Sequence, residues 1–131
     1  MEVKKREFTY KGKTIEELNK LDIREFARLL RARERRTALR QFQEIEKFVK
    51  RAKDKSNKNK KIKTHLRHLI VVPEMVGMKM QIHKGNAFVP IEIIGEMLGH
   101  RLGEFAVTRS KVAHTKAGVG ATKGTKHKSK K

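Results

Sequence analysis

Residues 78–93 read MKMQIHKGNAFVPIEI, and this stretch decides the fold. Apolar and polar residues alternate on both sides of a central KGN. A period of two is typical of a half-buried strand, and Gly and Asn are typical of a turn, so the stretch predicts a β-hairpin. Pro90 has no N–H to donate to a neighbouring strand. We therefore expect its strand to lie at an edge of the sheet or to bulge there.

The segments that flank the hairpin complete a small mixed domain. Downstream, Gly95, Gly99 and Gly103 punctuate a stretch that predicts short helical turns. Phe105 is the aromatic residue of this stretch, and we expect it to be buried at the end of the core. Upstream, an apolar run at 69–72 is stopped by a proline. Residues 62–110 therefore predict one core domain with a small antiparallel sheet.

Residues 1–61 predict a helical N-terminal extension that ends in a lysine-rich arm. Thr14 with Glu17 and Asp22 with Glu25 have the spacing of a capping box, which marks the start of a helix. From about residue 34 to about residue 53, apolar residues recur in steps of three and four, which predicts one longer helix. Its apolar stripe must pack on the rest of the chain or on another protein, and the sequence leaves both open.

The charge of the chain limits its possible partners. The 131 residues include 34 Lys and Arg and 14 Asp and Glu, giving a formal net charge of +20. Self-repulsion of this size weakens a compact free monomer and favours a polyanionic partner. Nucleic acid fits this requirement, and an anionic membrane surface is the competing class. The longest apolar run is far shorter than the roughly 20 residues that span a bilayer, so we expect no membrane partner.

Two segments of the chain carry charge without periodicity. Residues 53–63 read KDKSNKNKKIK, which indicates a solvated linker or an arm that contacts phosphate. Residues 111–131 are rich in Lys and Gly and contain no acidic or aromatic residue. Such a segment cannot offset its ordering entropy alone, so it predicts a disordered basic tail that orders on a partner.

Candidate chemical sites are sparse. His65 and His68 are three residues apart, but no third and fourth ligand follows from the spacing, so we expect no metal site and no cofactor. Carboxylates near the glycine-rich stretch have no nucleophile or base beside them, so we expect no enzyme. The remaining histidines are interpreted as polar RNA contacts or surface residues. The chain contains no cysteine, which excludes disulfides and thiolate zinc sites and fits a reducing compartment.

The basic surface is the strongest functional signal from the residues. Seven arginines crowd residues 24–40, and the planar guanidinium fork suits phosphate. No ordered array of aromatic residues is apparent for base stacking, so we expect recognition of backbone and shape, which suits folded RNA. Charge alone does not separate ribosomal RNA from DNA. The alternative classes are a chromatin-like DNA-binding protein and a nucleic-acid-processing enzyme. Charge alone supports the first, and no candidate catalytic site supports the second.

Several strings of the chain resemble the ribosomal protein S-nineteen family of the small-subunit head. They are KTHLR at 63–67, VPEMVG at 72–77, HKGNAFVP at 83–90, GEMLGHRLGEFAVTR at 95–109 and GVGAT at 118–122. FTYKG at 8–12 and RARERRTALR at 31–40 are similar to the archaeal and eukaryotic branch, and the Lys-rich ending is similar to archaeal members.

The resemblance implies an α+β structural protein of the small ribosomal subunit, in the cytoplasm, with N-terminal helices and a disordered basic C-terminal tail. It implies binding to small-subunit rRNA, a neighbour of the ribosomal protein S-thirteen family, a tail that extends toward tRNA, and a head surface that faces the large subunit. The residues that we expect to bind rRNA are Arg33, Arg35, Arg36, Arg40, Lys58, Lys60, Lys61, Lys63, His65, Arg67, Lys84, Asn86, Arg101 and Arg109. The tail residues expected near tRNA are Lys111, Lys116, Lys123 and Lys126.

Overall fold

The computed structural model describes residues 8–111 and 116–127, which form an α+β fold. The helices are α1 (Ile15–Asn19), α2 (Ile23–Leu29), α3 (Ala32–Arg40) and α4 (Phe42–Asn57). The strands are β1 (Thr9–Tyr10), β2 (Lys13–Thr14), β3 (Ile62–Thr64), β4 (Lys79–His83) and β5 (Phe88–Glu92). Short 3₁₀ turns cover Pro73–Met75, Gly95–Met97, Leu102–Phe105 and Lys123–Thr125.

Both predicted helix starts are confirmed. The Thr14 hydroxyl accepts from the Glu17 amide at 3.4 Å, and the Glu17 carboxylate accepts from the Thr14 amide at 3.1 Å. At the start of α2, the Glu25 carboxylate accepts from the Asp22 amide at 3.2 Å. These contacts satisfy N–H groups that have no partner inside the first helical turn.

The prediction of one helix from residue 34 to residue 53 is wrong. Gln41, with φ −110° and ψ 17°, leaves helical geometry and separates α3 from α4. The Arg24 guanidinium then lies 4.1 Å from the centroid of the Phe42 ring, at the first residue of α4. The apolar stripe of α4, including Ile45 and Val49, is buried in the protein's own core, which resolves the alternative left open by the sequence.

The predicted hairpin is confirmed, but its sheet is mixed rather than antiparallel. β4 and β5 pair antiparallel, with His83 opposite Phe88, and β3 pairs parallel to β4 on the other side. A parallel strand needs a long return, which residues 65–78 supply. β5 lies at the edge of the order β3-β4-β5, as Pro90 predicted. A second hairpin, β1–β2, turns through Lys11 and Gly12 at positive φ and was not predicted from periodicity.

Side chains from the helices and from the sheet region share one apolar core. Its fully buried members include Leu18, Phe26, Ile45, Ile70, Met80 and Leu102. Packing is therefore continuous across residue 61, and the division into 1–61, 62–110 and 111–131 stays a prediction. The prediction of a buried Phe105 is wrong in degree, because this ring is partly buried against the core while Leu102 and Ala106 fill the interior.

Two of the predicted punctuating glycines mark close approaches between segments. Gly99 has φ +79°, and a Cβ there would lie 2.8 Å from a methyl group of Leu30. A Cβ on Gly103 would lie 3.0 Å from the Arg67 carbonyl oxygen, which accepts a hydrogen bond from the Gly103 amide at 2.8 Å. These positions bring the 95–105 segment against α2 and against the residues after β3.

The tail prediction falls partly outside the described residues, which omit 112–115 and 128–131. Its described part, 116–127, contains one 3₁₀ turn and no buried residue. Within the parts of the chain that the structure covers, no helix combines the length and apolar character needed to cross a bilayer.

Candidate nucleic-acid interface

Helix α3 presents three arginines on one exposed face. Arg33, Arg36 and Arg40 are spaced by three and four residues, which places them on one side of the helix. Ala38 is buried in the core, so packing fixes the orientation of this face. Among residues 8–111 and 116–127, no hydrogen bond or ion pair engages these three guanidinium groups. We call Arg33, Arg36 and Arg40 the helical arginine surface.

Two neighbouring arginines bind the protein itself. Arg35 Nη2 donates to the carbonyl oxygens of Arg28 and Leu30, both at 3.1 Å, and thereby closes the end of α2. Arg101 Nη2 donates to Thr37 Oγ1 at 3.3 Å and ties the 95–105 segment to α3. Both side chains therefore hold the helical arginine surface in place.

The lysine arm is an ordered helix end rather than the unpatterned linker that the sequence indicated. Asn59 has φ +51°, its amide donates to the Ser56 carbonyl at 2.9 Å, and the Lys60 amide donates to the Lys55 carbonyl at 2.8 Å. This pair of bonds is the Schellman arrangement, with Asn in the left-handed position. The lysines at 58, 60 and 61 are exposed around this turn.

A groove of about 690 Å³ lies between the arm and the sheet. It is open to solvent and has a mixed lining, in which Lys60 and Lys61 come from the arm, Gln81 from β4, and Pro90 and Glu92 from β5. The arm therefore borders the sheet and extends its basic surface.

The outer face of the sheet carries three aromatic rings. The centroids of His65 and His83 lie 4.3 Å apart, those of His83 and Phe88 lie 4.9 Å apart, and those of His65 and Phe88 lie 5.2 Å apart. Both pairs with Phe88 are edge-to-face. The Lys63 ammonium lies 5.2 Å from the Phe88 ring centroid. We call His65, His83 and Phe88 the ring cluster.

The hairpin turn beside the ring cluster is fixed by its backbone. The Lys84 amide donates to the Ala87 carbonyl at 2.9 Å, and the Gly85 amide donates to His83 Nδ1 at 3.2 Å. The bond to the Nδ1 atom ties the His83 ring to the turn. Asn86 is exposed at the tip of the turn and Lys84 is half-exposed.

The Arg67 guanidinium joins segments of the chain that are distant in sequence. Its Nη1 donates to the His83 carbonyl at 2.5 Å, and its Nη2 donates to the carbonyls of Gly103 and Ala106 at 2.8 and 2.7 Å. Three of the five N–H groups of a guanidinium are thus used inside the protein. This arginine latch joins the end of β4 to the last residues of the core.

The remaining predicted residues follow the core. Arg109 and Lys111 are exposed beyond Ala106, and Lys116, Lys123 and Lys126 are exposed in the described part of the tail. Their side chains are exposed and lie outside the core.

Few of the cations have an acidic partner. The ion pairs between described residues are Lys53 with Glu74, His68 with Glu44 at 3.2 Å, Lys79 with Glu92 at 3.8 Å, and His100 with Glu104 at 2.8 Å. The two histidines considered as metal ligands therefore separate, His68 to a carboxylate and His65 to the ring cluster. Within the described ranges, no group of three or more metal-ligating side chains is assembled.

One tyrosine near α3 has a perturbed ionisation. Burial raises the pKa of the Tyr10 phenol above its ordinary value of 10.0, with Arg31 opposing and Glu34 adding to this shift in pKa. The ring of Tyr10 packs 5.9 Å from that of Phe26, so the β1–β2 hairpin is anchored to α2.

The sequence did not indicate the ring cluster, which brings one Phe and two His together; the expectation of no ordered aromatic array for base stacking stays a prediction. His83 and Phe88 end the paired positions of the hairpin, so the alternation could have placed both on the outer face. His65 joins the ring cluster only because β3 pairs in parallel with β4, and no local sequence pattern predicts that pairing.

Comparisons with known proteins complete the description. The sequence profile of the family described as ribosomal protein S19 matches residues 31–114. The small ribosomal subunit protein uS19 of Methanocella arvoryzae is 49% identical over 125 residues, which cover 95% of this chain and 87% of that protein. The protein of the same name from Methanococcoides burtonii is 42% identical over 123 residues, which cover 94% and 88%.

Proposed function

Because the chain belongs to the ribosomal protein S19 family, we propose that it binds the rRNA of the small-subunit head through its helical arginine surface, its lysine arm and the outer face of its sheet. As a family member it is a structural, non-enzymatic constituent of the small ribosomal subunit in the cytoplasm. The observation that carries the proposal is the exposed helical arginine surface, which meets no partner in the described chain.

Charge and geometry together support phosphate binding by this surface. A guanidinium presents a planar fork of donors that matches phosphate oxygens, and the helix spaces three such forks rigidly. Each neutralised phosphate releases counterions, which supplies free energy without any sequence preference. Position on the RNA would then come from the fixed spacing of the protein's basic elements.

The proposed contacts divide by what each side chain does in the protein. Those with exposed or half-exposed polar groups are Arg33, Arg36, Arg40, Lys58, Lys60, Lys61, Lys63, His65, Lys84, Asn86 and Arg109. We propose that these residues contact rRNA directly. Arg35, Arg67 and Arg101 already bind the protein, so their first role is to position the contacting segments. Direct phosphate contact by their remaining N–H groups stays a prediction.

The partners other than rRNA rest on the resemblance. We propose a neighbour of the S-thirteen family and a tail that reaches tRNA through Lys111, Lys116, Lys123 and Lys126. Ile94, which is 47% exposed after β5, offers apolar surface for a protein neighbour. The lysines of the tail lie beyond the last core residue, which supports a role as a tether rather than as part of the body.

A salt titration tests the rRNA proposal. If roughly 6–10 phosphates are neutralised, affinity for head rRNA fragments should fall by about 10³–10⁵-fold between roughly 50 and 200 mM salt, with duplex DNA as the guide. Filter binding with duplex DNA as competitor separates rRNA recognition from general polyanion binding. A flat salt profile, or equal competition by DNA, would count against the proposal.

A truncation tests the division between body and tail. Removing residues 111–131 leaves the helical arginine surface and the arm intact, so the protein should still enter small subunits while tRNA binding or translation rate falls. Subunits purified from cells that carry the truncation report occupancy and tRNA affinity separately. Absence of the truncated protein from subunits, or unchanged tRNA affinity and translation, would each contradict one half of the proposal.

A further inference from the structure

We propose that the ring cluster binds an unpaired base of RNA by stacking on His65, while Lys63 holds the adjoining phosphate. This inference rests on the proposed rRNA-binding function and names a subsite within it. It adds base contact to a surface otherwise described by charge.

The geometry of the cluster prepares His65 as a platform. His65 is exposed, whereas His83 and Phe88 are half-buried and support its ring at 4.3 and 5.2 Å between centroids. A base that stacks on a ring already fixed by its neighbours loses less entropy on binding than one that must order a free side chain. Stacking on exposed rings is how proteins bind unpaired bases without a strong sequence preference.

The surrounding charges favour a nucleic acid over an acidic protein segment or an apolar one. The Lys63 ammonium lies 5.2 Å from the Phe88 ring centroid, and Lys84 follows His83 directly in the adjacent turn, so cationic residues accompany the rings. The carboxylate of Glu92 is at the other end of the strand pair, opposite Lys79 and 3.8 Å from its ammonium. A nucleotide needs both a ring and a cation, and the cluster offers the two together.

The sheet also provides a continuous path for a single strand. Gln81 and His83 are successive outward positions of β4, about 7 Å apart along a strand. Gln81 lines the groove that Lys60 and Lys61 border. A strand whose base rests on His65 can therefore run its backbone past Lys63 and along the groove to the arm.

A second histidine–aromatic pair provides a matched control. The rings of His100 and Phe105 lie 6.1 Å apart, edge-to-face, but His100 Nδ1 lies 2.8 Å from a Glu104 carboxylate oxygen. The negative charge of the Glu104 carboxylate would repel a phosphate at this pair. Substitution at His100 therefore removes a comparable ring without touching the proposed subsite.

The experiment measures the full chain against two RNA probes at one salt concentration, a single-stranded hexamer that contains 2-aminopurine and an RNA duplex of the same length. His65→Ala should weaken hexamer binding by about 5- to 150-fold, the range that corresponds to stacking of one base. It should also abolish quenching of the 2-aminopurine and leave duplex binding unchanged. His65→Phe should retain the affinity, because it keeps a ring and removes the imidazole, and His100→Ala should behave as the unsubstituted protein.

The outcomes separate this inference from the function beneath it. If His65→Ala binds the hexamer as tightly as the unsubstituted protein, or loses hexamer and duplex equally, stacking is overturned while rRNA binding stands. A protein that covers the rings instead of RNA would also leave both RNA affinities unchanged, and so overturns the inference. A flat salt profile of the unsubstituted protein on head rRNA fails the proposed function itself, whatever His65 does.

Discussion

The helical arginine surface and the ring cluster differ in what they present to solvent, and we propose that they contact different parts of a nucleotide. The first has three guanidinium groups and no ring, whereas the second has three rings with lysines at its border. Phosphate binding by the first should respond steeply to salt, whereas at the second only the proposed Lys63–phosphate contact should do so and the stacking itself should add little. Under the proposed function, affinity for RNA and discrimination between paired and unpaired RNA would lie on separate elements of one small fold.

The largest expected effect is the loss of phosphate binding by the helical arginine surface. Replacing Arg33, Arg36 and Arg40 together by Gln should reduce the salt slope of rRNA binding by about three, one for each phosphate contact. An electrostatic contribution with that slope, which vanishes near 1 M salt, amounts to about 10³ in affinity near 0.1 M. Filter binding across a salt series measures both quantities. Because the three side chains are exposed, the free energy of unfolding should stay within about 0.5 kcal/mol. An unchanged slope would remove this surface from the proposed interface.

The next effect separates a binding arginine from a structural one. Arg67→Leu removes three hydrogen bonds to backbone carbonyls and leaves those acceptors poorly satisfied. The free energy of unfolding should fall by about 3 kcal/mol, allowing for the partial exposure of the site. Urea denaturation measures this loss, and Arg33→Leu is the control that should show almost none. Equal stability of the two variants would mean that the latch contributes nothing to the fold.

A smaller effect contrasts the two histidine–aromatic pairs. Phe105 is only partly buried, so Phe105→Ala should destabilise by about 1–2 kcal/mol, less than the 3–5 kcal/mol typical of a fully buried Phe. Single-stranded RNA binding by the folded variant should not change, unlike that of His65→Ala. Denaturation and hexamer binding on the same preparation decide the matter. A loss of hexamer affinity in this variant would blur the distinction between the two pairs.

The smallest expected effect is the pH dependence of stability that Tyr10, packed against α2, should produce. Burial raises the folded-state pKa of Tyr10, so folding favours its neutral form. The stability that this provides is complete below the unfolded pKa of about 10 and is lost as pH rises through the folded pKa. Tyr10→Phe should therefore lose less stability than the unsubstituted protein between neutral pH and strongly alkaline pH, measured by urea denaturation at each pH. Parallel curves for the two proteins would contradict this account.

Local signals explain which parts of the fold could be predicted from the sequence. The capping residues at Thr14 and Asp22, the hairpin around Lys84 and the edge position of Pro90 each depend on neighbours in the chain. The break at Gln41 could not be predicted, because the apolar spacing of α3 and α4 continues through it and tertiary packing decides the geometry.

The candidate site divides in the same way. Charge density identified the arginines, but the sequence did not show that Arg35, Arg67 and Arg101 would donate hydrogen bonds to groups within the protein. That distinction depends on carbonyls distant in the chain, such as those of Gly103 and Ala106. The ring cluster was missed for a related reason, since His65 reaches the hairpin only through a parallel strand.

The latch has a consequence for the order of events during synthesis. Arg67 binds carbonyls 36 and 39 residues further along the chain, so the contact forms only after those residues have left the exit tunnel. Helices α1–α4 emerge earlier, with their apolar side chains not yet covered by the sheet region and with Arg33, Arg36 and Arg40 on the exposed face of α3. Bringing Arg67 to these carbonyls closes a long loop, and the entropy cost of loop closure comes before the contacts that offset it. The segment that carries the proposed RNA-binding arginines is therefore made before the residues that complete the latch.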